Sequence, residues 1–369
     1  MPTLTLPQQN IRQMQQRFGD GVCALHFSVR FPRELSRSRL QAAWNTTLAQ
    51  TDALRLSITD NGDETQQSFG DAPGLLRLAG QAPRPLWQAA WRESRGRTLL
   101  NFHCHHLIAD AWGLYTLADR LRHNYHDQSA PIGTYAHFIA ADAAYRASDK
   151  RTRAFAYFAD QLAQCPNPVF LASKLHPSLD AKRWTVTLTQ AQTERIYAQA
   201  QRAQTTPYAL FLYALGKAVA DVRGAQRLFL GTTVLNRTGA QEKNTVGMFV
   251  NTVPVLIDTA AGAEGVSAGL VGVFRHQRCG YVDLLAQLRH RYGLQGGLFD
   301  VMLNYQNIRT DLDGAAVQWH FHGQQSETLQ LHIHDWGNTG ALTLDYDYRT
   351  ALLTAHDVRR LHRAVLSRC

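Results

Sequence analysis

The sequence predicts an α/β fold in two lobes of similar size. Segments in which apolar residues alternate, as in strands, are interspersed with segments in which they recur every three or four residues, as in helices. The chain has 369 residues, which is long for one compact core. A stretch with three prolines and weak periodicity, residues 164–179, interrupts the pattern. We therefore expect an N-terminal lobe at residues 1–168 and a C-terminal lobe at residues 169–369.

The first lobe should contain strands and helices in alternation. Apolar residues share one face of a strand at residues 25–31, and an apolar stripe predicts a helix over about 38–50. A buried strand is expected at 99–104, followed by a short loop and a helix that ends before Pro131. One further helix is predicted from about 135 to 162.

The pattern then restarts in the second lobe. A strand at 184–189 precedes a helix, and Thr206 with Pro207 predicts the start of another helix that runs to about Val222. A strand follows at 227–234. The remaining third mixes the two element types, with helices near 268–277, 282–291 and 355–367 and strands at 299–305, 317–321, 328–334 and 341–348.

Composition and charge narrow the class of protein. The five cysteines have spacings that suit neither a metal motif nor a disulfide framework, and no apolar run approaches membrane-spanning length. The first residues have no apolar signal core, so we expect a cytoplasmic, reduced protein without a membrane partner. The formal net charge of +9 is compatible with an acidic partner and equally with a role in solubility alone. Nucleic acid is not expected, because the densest basic stretch, Lys150 to Arg153, is short.

The segment richest in side chains suited to catalysis is a histidine loop, His103 to Gly113, between a predicted strand and a predicted helix. Side chains at such a junction can face a cleft, and the start of a helix favours developing negative charge. A neutral histidine there, His105 or His106, can accept a proton from an attacking nucleophile, because its ordinary pKa lies near neutrality. A backbone N–H at the start of the helix can stabilise an oxyanion.

Two other interpretations of this loop stay open. The histidines can be structural residues at a strand end, and Asp110 can be the N-cap of the helix. A metal site is also conceivable, since His103, Cys104, His105, His106 and Asp110 are all potential ligands. It is disfavoured because alternation puts His103 and His105 on one side of the strand and Cys104 and His106 on the other. No metal is therefore predicted.

Two motifs resemble the condensation domains of nonribosomal peptide synthetases. Residues 105–111, HHLIADA, match the family's His-His-x-x-x-Asp-Gly signature except at the last position. Residues 246–255, VGMFVNTVPV, resemble its Gly-x-Phe-Val-Asn-Thr motif. Weaker similarities extend over nearly the whole chain, at residues 6–11, 53–55, 135–138, 231–237 and 298–307.

The resemblance implies a fold and an activity. The fold is two chloramphenicol-acetyltransferase-like lobes in a V-shaped pseudo-dimer with a central tunnel. The activity is amide or ester formation between an acyl or peptidyl thioester and an amine or hydroxyl acceptor, in nonribosomal peptide or hybrid polyketide biosynthesis. The protein itself binds no cofactor: its substrates are carried on the phosphopantetheine of donor and acceptor carrier proteins, and adjacent synthetase modules are further partners.

The resemblance also implies roles for single residues. The second histidine of the motif, His106, is the catalytic one, with His105 beside it, and Asp110 is expected to pair with Arg55 and hold the loop. Substrate contacts are expected from the start of the helix, the second motif and a late strand, at Ala111, Trp112, Gly113, Phe249, Asn251 and Asn304.

Several departures from the family pattern bear on activity: Gly113 stands where the family often has serine, and the usual Arg-His-Glu is absent before Ala53-Leu54-Arg55. Ala111 replaces the motif glycine and puts a methyl group where the donor thioester approaches, and the stretch between Arg55 and the histidine motif is short. They motivate a catalytically silent domain that recruits a partner protein as an alternative. A free-standing acyltransferase that uses acyl-CoA is a further alternative, supported by a faint similarity of Asp335-Trp336-Gly337 to a plant-type acyltransferase motif.

Overall fold

The computed structural model describes residues 2–62, 64–174, 176–308, 311–335 and 340–369. Trp336 and Gly337, which carry most of the similarity to a plant-type acyltransferase motif, lie outside the described residues. Within these ranges, helices and strands are interspersed along the chain, which confirms the predicted α/β class. No helix in the described ranges has the length and apolar character needed to cross a bilayer.

The bounds of the elements are as follows. The helices are α1 (Leu6–Phe18), α2 (Arg37–Ala49), α3 (Ala111–Tyr125), α4 (Tyr135–Arg146), α5 (Asp149–Gln164), α6 (Gln190–Arg202), α7 (Pro207–Arg223), α8 (Ala240–Lys243), α9 (Gly262–Arg275), α10 (Tyr281–Tyr292) and α11 (Ala355–Leu366). The strands are β1 (Ala24–Arg30), β2 (Leu56–Asp60), β3 (Thr65–Phe69), β4 (Leu75–Leu78), β5 (Arg84–Pro85), β6 (Trp87–Ser94), β7 (Arg97–His105), β8 (Ala181–Thr187), β9 (Arg227–Val234), β10 (Asn251–Asp258), β11 (Val301–Gln306), β12 (Ala316–Trp319), β13 (Leu329–His334) and β14 (Thr343–Arg349).

The chain forms two compact units that interleave in sequence. The first unit comprises Met1–Ala147, Leu235–Val250 and Thr310–His322, and the second comprises Ser148–Val234, Asn251–Arg309 and Gly323–Cys369. This division differs from the predicted boundary at 168/169. The chain leaves the first unit earlier than expected and returns to it twice, so the first half of the second motif, residues 246–250, belongs to the first unit.

The first unit is built on a four-stranded antiparallel sheet in the order β12-β1-β7-β6. Helices α2 and α3 cover one face of it, where Trp44 and Tyr115 pack against Phe102 and Phe27 with ring centroids 6.2 and 5.5 Å apart. These apolar side chains alternate along the strands, as a half-buried sheet requires. A smaller sheet in the order β3-β2-β4-β5 completes the unit.

The second unit is built on a six-stranded mixed sheet in the order β10-β9-β11-β13-β14-β8. The pairs β9 with β11 and β11 with β13 are parallel, and the remaining pairs are antiparallel. Helix α7 begins at Pro207 after the Thr206 N-cap, as predicted, and Gly224 ends it in the left-handed conformation. Most of its residues are buried against the sheet, and a Cβ at Gly216 would lie 2.8 Å from Ile257.

Two sequence predictions of elements need correction. The single helix expected over 135–162 is two helices, α4 and α5, because Ser148 adopts extended backbone angles (φ −102°, ψ 156°) where the chain passes into the second unit. The strands β2 to β6 were not predicted. Strands β2 to β5 are short, with two to five residues each, and β6 has no fully buried residue, so its apolar alternation is weak.

Candidate active site

The histidine loop is fixed at both ends by regular structure. Strand β7 pairs with β1 on one side and β6 on the other, and α3 begins at Ala111. Beyond the strand, the His106 N–H donates to the Cys23 carbonyl at 2.8 Å, and the Ile108 N–H closes a turn to the His105 carbonyl at 3.2 Å. The backbone at His106 is therefore held in place on a rigid sheet.

The imidazole of His106 has a defined tautomer. Its Nδ1 lies 2.8 Å from the Ala109 carbonyl oxygen. Because a carbonyl oxygen only accepts hydrogen bonds, Nδ1 carries the hydrogen and Nε2 keeps its lone pair. Burial lowers the pKa of His106, and the nearby Asp110 carboxylate only partly offsets that effect. The ring is thus neutral near pH 7, in the form that can accept a proton at Nε2.

His105 is held differently. Its Nδ1 accepts a hydrogen bond from the Leu107 N–H at 3.2 Å, so in the neutral ring Nε2 carries the hydrogen. Burial lowers the pKa of His105 to about 3, although the Asp20 carboxylate, 4.0 Å away, acts in the opposite direction. His105 therefore stays neutral and is hydrogen-bonded within its own loop, which is the arrangement of a structural residue.

Asp110 is the centre of a buried polar clamp. Its carboxylate is 1% exposed and accepts two hydrogen bonds from Arg237, at 2.8 and 3.0 Å. It also accepts the backbone N–H groups of Gly113 at 2.7 Å and of Phe249 and Val250, both at 2.9 Å. Although burial raises the pKa of Asp110, Arg237 and these N–H donors outweigh it, and the pKa lies below its ordinary value. One carboxylate therefore caps α3 and joins the two motifs.

The predicted pairing of Asp110 with Arg55 is wrong, because the partner is Arg237. Arg55 ends a 3₁₀ turn, Asp52–Arg55, and its buried Nε has no hydrogen-bond partner in the described part of the chain. Arg237 reaches Asp110 because the segment 235–250 returns to the first unit. The sequence held a signal for this contact: Arg237 ends the stretch 231–237 that resembles the family pattern before the second motif.

Two of the predicted substrate contacts have no exposed side-chain surface. Phe249 is 0% exposed, packs against Phe138 with ring centroids 4.1 Å apart, and lies under the Arg237 guanidinium at 4.1 Å. Asn251 is also 0% exposed, and its amide donates to the Gln277 and Cys279 carbonyls of the second unit. Their burial does not support direct substrate contact. Both side chains instead fix the backbone of the second motif through these contacts with neighbouring segments.

The start of α3 combines a tight contact with partly exposed side chains. Gly113 is buried, and a Cβ there would lie 3.1 Å from the backbone of Gly247. The Trp112 indole donates to the Lys243 carbonyl at 2.7 Å. Trp112 and Ala111 keep part of their surface exposed, so substrate contact at these two residues stays a prediction.

Asn304 lies on β11 in the second unit and is also partly exposed. Its Oδ1 accepts the Thr233 hydroxyl at 2.7 Å, which orients its Nδ2 as the donor toward His332 Nδ1 at 3.3 Å. Substrate contact at Asn304 stays a prediction. Among the residues with described positions, no group of three or more histidine, cysteine, aspartate or glutamate side chains is arranged to hold a metal ion.

Comparison with curated proteins finds nonribosomal peptide synthetases. Surfactin synthase subunit 1 of Bacillus subtilis (strain 168) is 26% identical over 275 residues, which cover 70% of this chain. Tyrocidine synthase 2 of Brevibacillus parabrevis is 21% identical over 364 residues, which cover 89% of this chain. The matches span only 8% and 10% of the two relatives' own lengths.

Solved structures of condensation domains share the fold. The starter condensation domain of rhizomide synthetase superposes with a TM-score of 0.79 at 21% identity, covering 99% of this chain and 94% of that one. The first condensation domain of the calcium-dependent antibiotic synthetase gives 0.81 at 19% identity, covering 100% and 96%. The condensation domain from Monacolin K polyketide synthase gives 0.82 at 13% identity, with the same coverage.

The family itself follows from a match to its sequence model. The model described as "Condensation domain" matches residues 81–367, which include both motifs and the clamp between them. The resemblance predicted from the two motifs is thereby confirmed, and the chain belongs to the condensation-domain family.

Proposed function

We propose that this protein is a condensation-type acyltransferase that forms an amide or ester bond between a carrier-bound acyl or peptidyl thioester and an amine or hydroxyl acceptor. The observation that carries the proposal is the state of His106. Its Nδ1–H is held by the Ala109 carbonyl, and its Nε2 lone pair belongs to a neutral imidazole. A fixed neutral imidazole on a rigid strand end is suited to general base catalysis.

The proposed reaction has two steps. In the first, the acceptor nitrogen or oxygen attacks the thioester carbonyl carbon, and its proton passes to Nε2 of His106. In the second, the tetrahedral oxyanion collapses, the carbon–sulfur bond breaks, and the leaving thiolate takes the proton back from the imidazolium. The positive end of the α3 dipole favours the oxyanion. An α-amine has an ordinary pKa of about 8, so base catalysis matters less for an amine than for a hydroxyl acceptor.

Asp110 and Arg237 have a positioning role in this scheme. Asp110 follows His106 by four residues. Its pair with Arg237 and its hydrogen bonds to backbone N–H groups tie the start of α3 to the second motif. Neither carboxylate oxygen is available for proton transfer, because both already accept hydrogen bonds within the clamp. Asp110 should therefore affect activity through the geometry of the loop.

Carrier proteins are the proposed partners, and their phosphopantetheine is the proposed substrate carrier. Support comes from the synthetase relatives, of which this chain covers only a small part. The rhizomide starter domain was solved with C8-CoA, which makes acyl-CoA a second donor to test here. The net charge of +9 suits an acidic carrier protein.

The test compares His106→Ala with His105→Ala as a matched control. Acyl-loaded carrier protein, or C8-CoA, is incubated with amine and hydroxyl acceptors, and products are measured by mass spectrometry. His106→Ala should lower turnover by about 10²–10⁴-fold, more for the hydroxyl acceptor, while carrier binding is unchanged. His105→Ala should act through stability instead. Equal turnover of wild type and His106→Ala with every acceptor would show that His106 is not the base.

One observation favours a second candidate, a silent domain that recruits a partner protein. Ala111 adds a methyl group at the start of α3, where the family motif has glycine. If that methyl group obstructs the donor, Ala111→Gly should raise turnover. A wild type that binds carrier protein, yet transfers nothing from carrier or C8-CoA even as Ala111→Gly, would support recruitment.

A further inference from the structure

The face of the first unit's four-stranded sheet that lies opposite α2 and α3 carries an unusual set of side chains. Strand register and alternation place three cross-strand rows on it, which we call the histidine face: His320, His26, His103 and Gln88; Gln318, Ser28, Asn101 and Ala90; Ala316, Arg30, Leu99 and Arg92. The rows contain three histidines and two arginines and no acidic residue. The face is therefore rich in hydrogen-bond donors and lacks carboxylates.

The three imidazoles form a stack. The His26 ring lies between His103 and His320, with centroids 3.7 and 4.0 Å apart and interplanar angles of 25° and 21°. Burial and the two neighbouring rings lower the pKa of His26 to about 4, so it is neutral near pH 7. Rings stacked face to face do not point their nitrogens at one common point, so the stack does not suit a metal ion.

Hydrogen bonds beside the stack have a defined direction. The Ser28 hydroxyl donates to Asn101 Oδ1 at 2.9 Å. Ser28 Oγ also lies 2.7 Å from His320 Nε2 and can accept a hydrogen bond from that nitrogen. With Oδ1 of Asn101 engaged as an acceptor, its amide NH₂ group remains as a donor.

An open depression of about 670 Å³ lies on this face. It is lined by His26, Gln88, Ala89, Ala90, Asn101 and His103. Ala90 of β6 has a small side chain on this face and leaves space there, and the lining provides imidazole and carboxamide groups without a carboxylate. The depression is open to solvent, so a small molecule could lie on it without being enclosed.

Two arginines supply positive charge along the next row. Arg30 on β1 and Arg92 on β6 flank Leu99 of β7, and both are exposed. Neither makes an ion pair with another side chain in the described part of the chain, so both guanidinium groups can bind a ligand. Guanidinium groups bind carboxylate and phosphate through paired N–H donors.

We infer that the histidine face binds a small molecule bearing an oxyanion, a carboxylate or a phosphate group. The depression holds the body of the ligand against His103 and Gln88, and the arginine row binds the charge. This binding site is separate from the proposed acyl transfer at His106, and the inference does not depend on that transfer.

The test is binding of citrate and of inorganic pyrophosphate to the full chain, measured by calorimetry and by NMR of the histidine ring protons at constant ionic strength. Saturable binding of either probe supports the site, and the stronger probe identifies carboxylate or phosphate as the preferred group. His103→Gln and Arg92→Gln, both at exposed positions, should each weaken binding by about tenfold.

Arg223→Gln is the matched control, because Arg223 is an exposed arginine at the end of α7 in the second unit. It should leave the affinity unchanged. An equal loss in Arg223→Gln would show that only net charge matters, and absence of saturable binding of both probes to folded wild type would overturn the inference. Circular dichroism of each variant separates lost binding from lost fold.

Discussion

Replacing Asp110 with alanine should destabilise the protein strongly. The change leaves the Arg237 guanidinium, which is 0% exposed, without its carboxylate partner. Breaking a buried ion pair from one side costs about 3–5 kcal/mol, because the remaining charge stays desolvated. The α3 N-cap and the hydrogen bonds to the Phe249 and Val250 N–H groups are lost as well. Against a total stability of about 5–15 kcal/mol for a domain, this loss is large.

Urea unfolding followed by tryptophan fluorescence measures the effect as a change in midpoint at constant m-value. The surface pair Arg39–Asp127 provides the control, since its side chains are 48% and 82% exposed. Asp127→Asn should cost less than about 1 kcal/mol, and asparagine suits the left-handed backbone of Asp127 (φ 54°). The double variant Asp110→Ala/Arg237→Met removes both buried charges and should cost less than the sum of the two single changes.

Three results would distinguish the clamp from a dispensable contact. An Asp110→Ala protein whose free energy of unfolding is within about 1 kcal/mol of wild type at the same m-value would refute the reasoning. A buried Arg237 charge without its partner should destabilise the protein by more than that. Strict additivity in the double variant would show that Asp110 and Arg237 do not interact energetically. A loss of activity with full stability would assign Asp110 a direct chemical role instead.

Three further predictions concern pH, packing and partners. Because burial lowers the pKa of His106, its base form persists below the ordinary histidine value of about 6.5, and the acid limb of the kcat/KM profile should lie below that pH; a limb above it would contradict a neutral base. Gly247→Ala should lower the free energy of unfolding by about 1–3 kcal/mol in urea, since its Cβ would lie 2.2 Å from the Tyr135 ring. The control Gly239→Ala should be nearly neutral, because no atom lies within 4 Å of the added Cβ. Equal midpoints for the two variants would rule out this close packing. Carrier-protein affinity should weaken as salt rises in calorimetry, and a salt-independent affinity would remove the electrostatic part of the proposal.

Much of the secondary structure was predictable from local patterns. The strand predicted at 227–234 coincides with β9, and the helix predicted from Thr206 and Pro207 is α7 with that cap. These elements have strong apolar periodicity and clear start signals, which depend on neighbours in sequence. Strands β2 to β5 were missed because they have only two to five residues each, and β6 was missed because none of its residues is fully buried. Hydrogen bonding to other strands defines these strands more than their own pattern does.

The α/β class, the family and the place of the histidine loop between a strand and a helix could all be predicted from the sequence, because they depend on local periodicity and on short motifs. The partner of Asp110, which is Arg237, 127 residues away, and the burial of Phe249 beneath that arginine became known only from the folded chain. The return of the chain to the first unit at two later segments was likewise seen only in the structure. Such contacts depend on which distant segments the fold brings together, and a single sequence carries several chemically suitable arginines for one buried carboxylate.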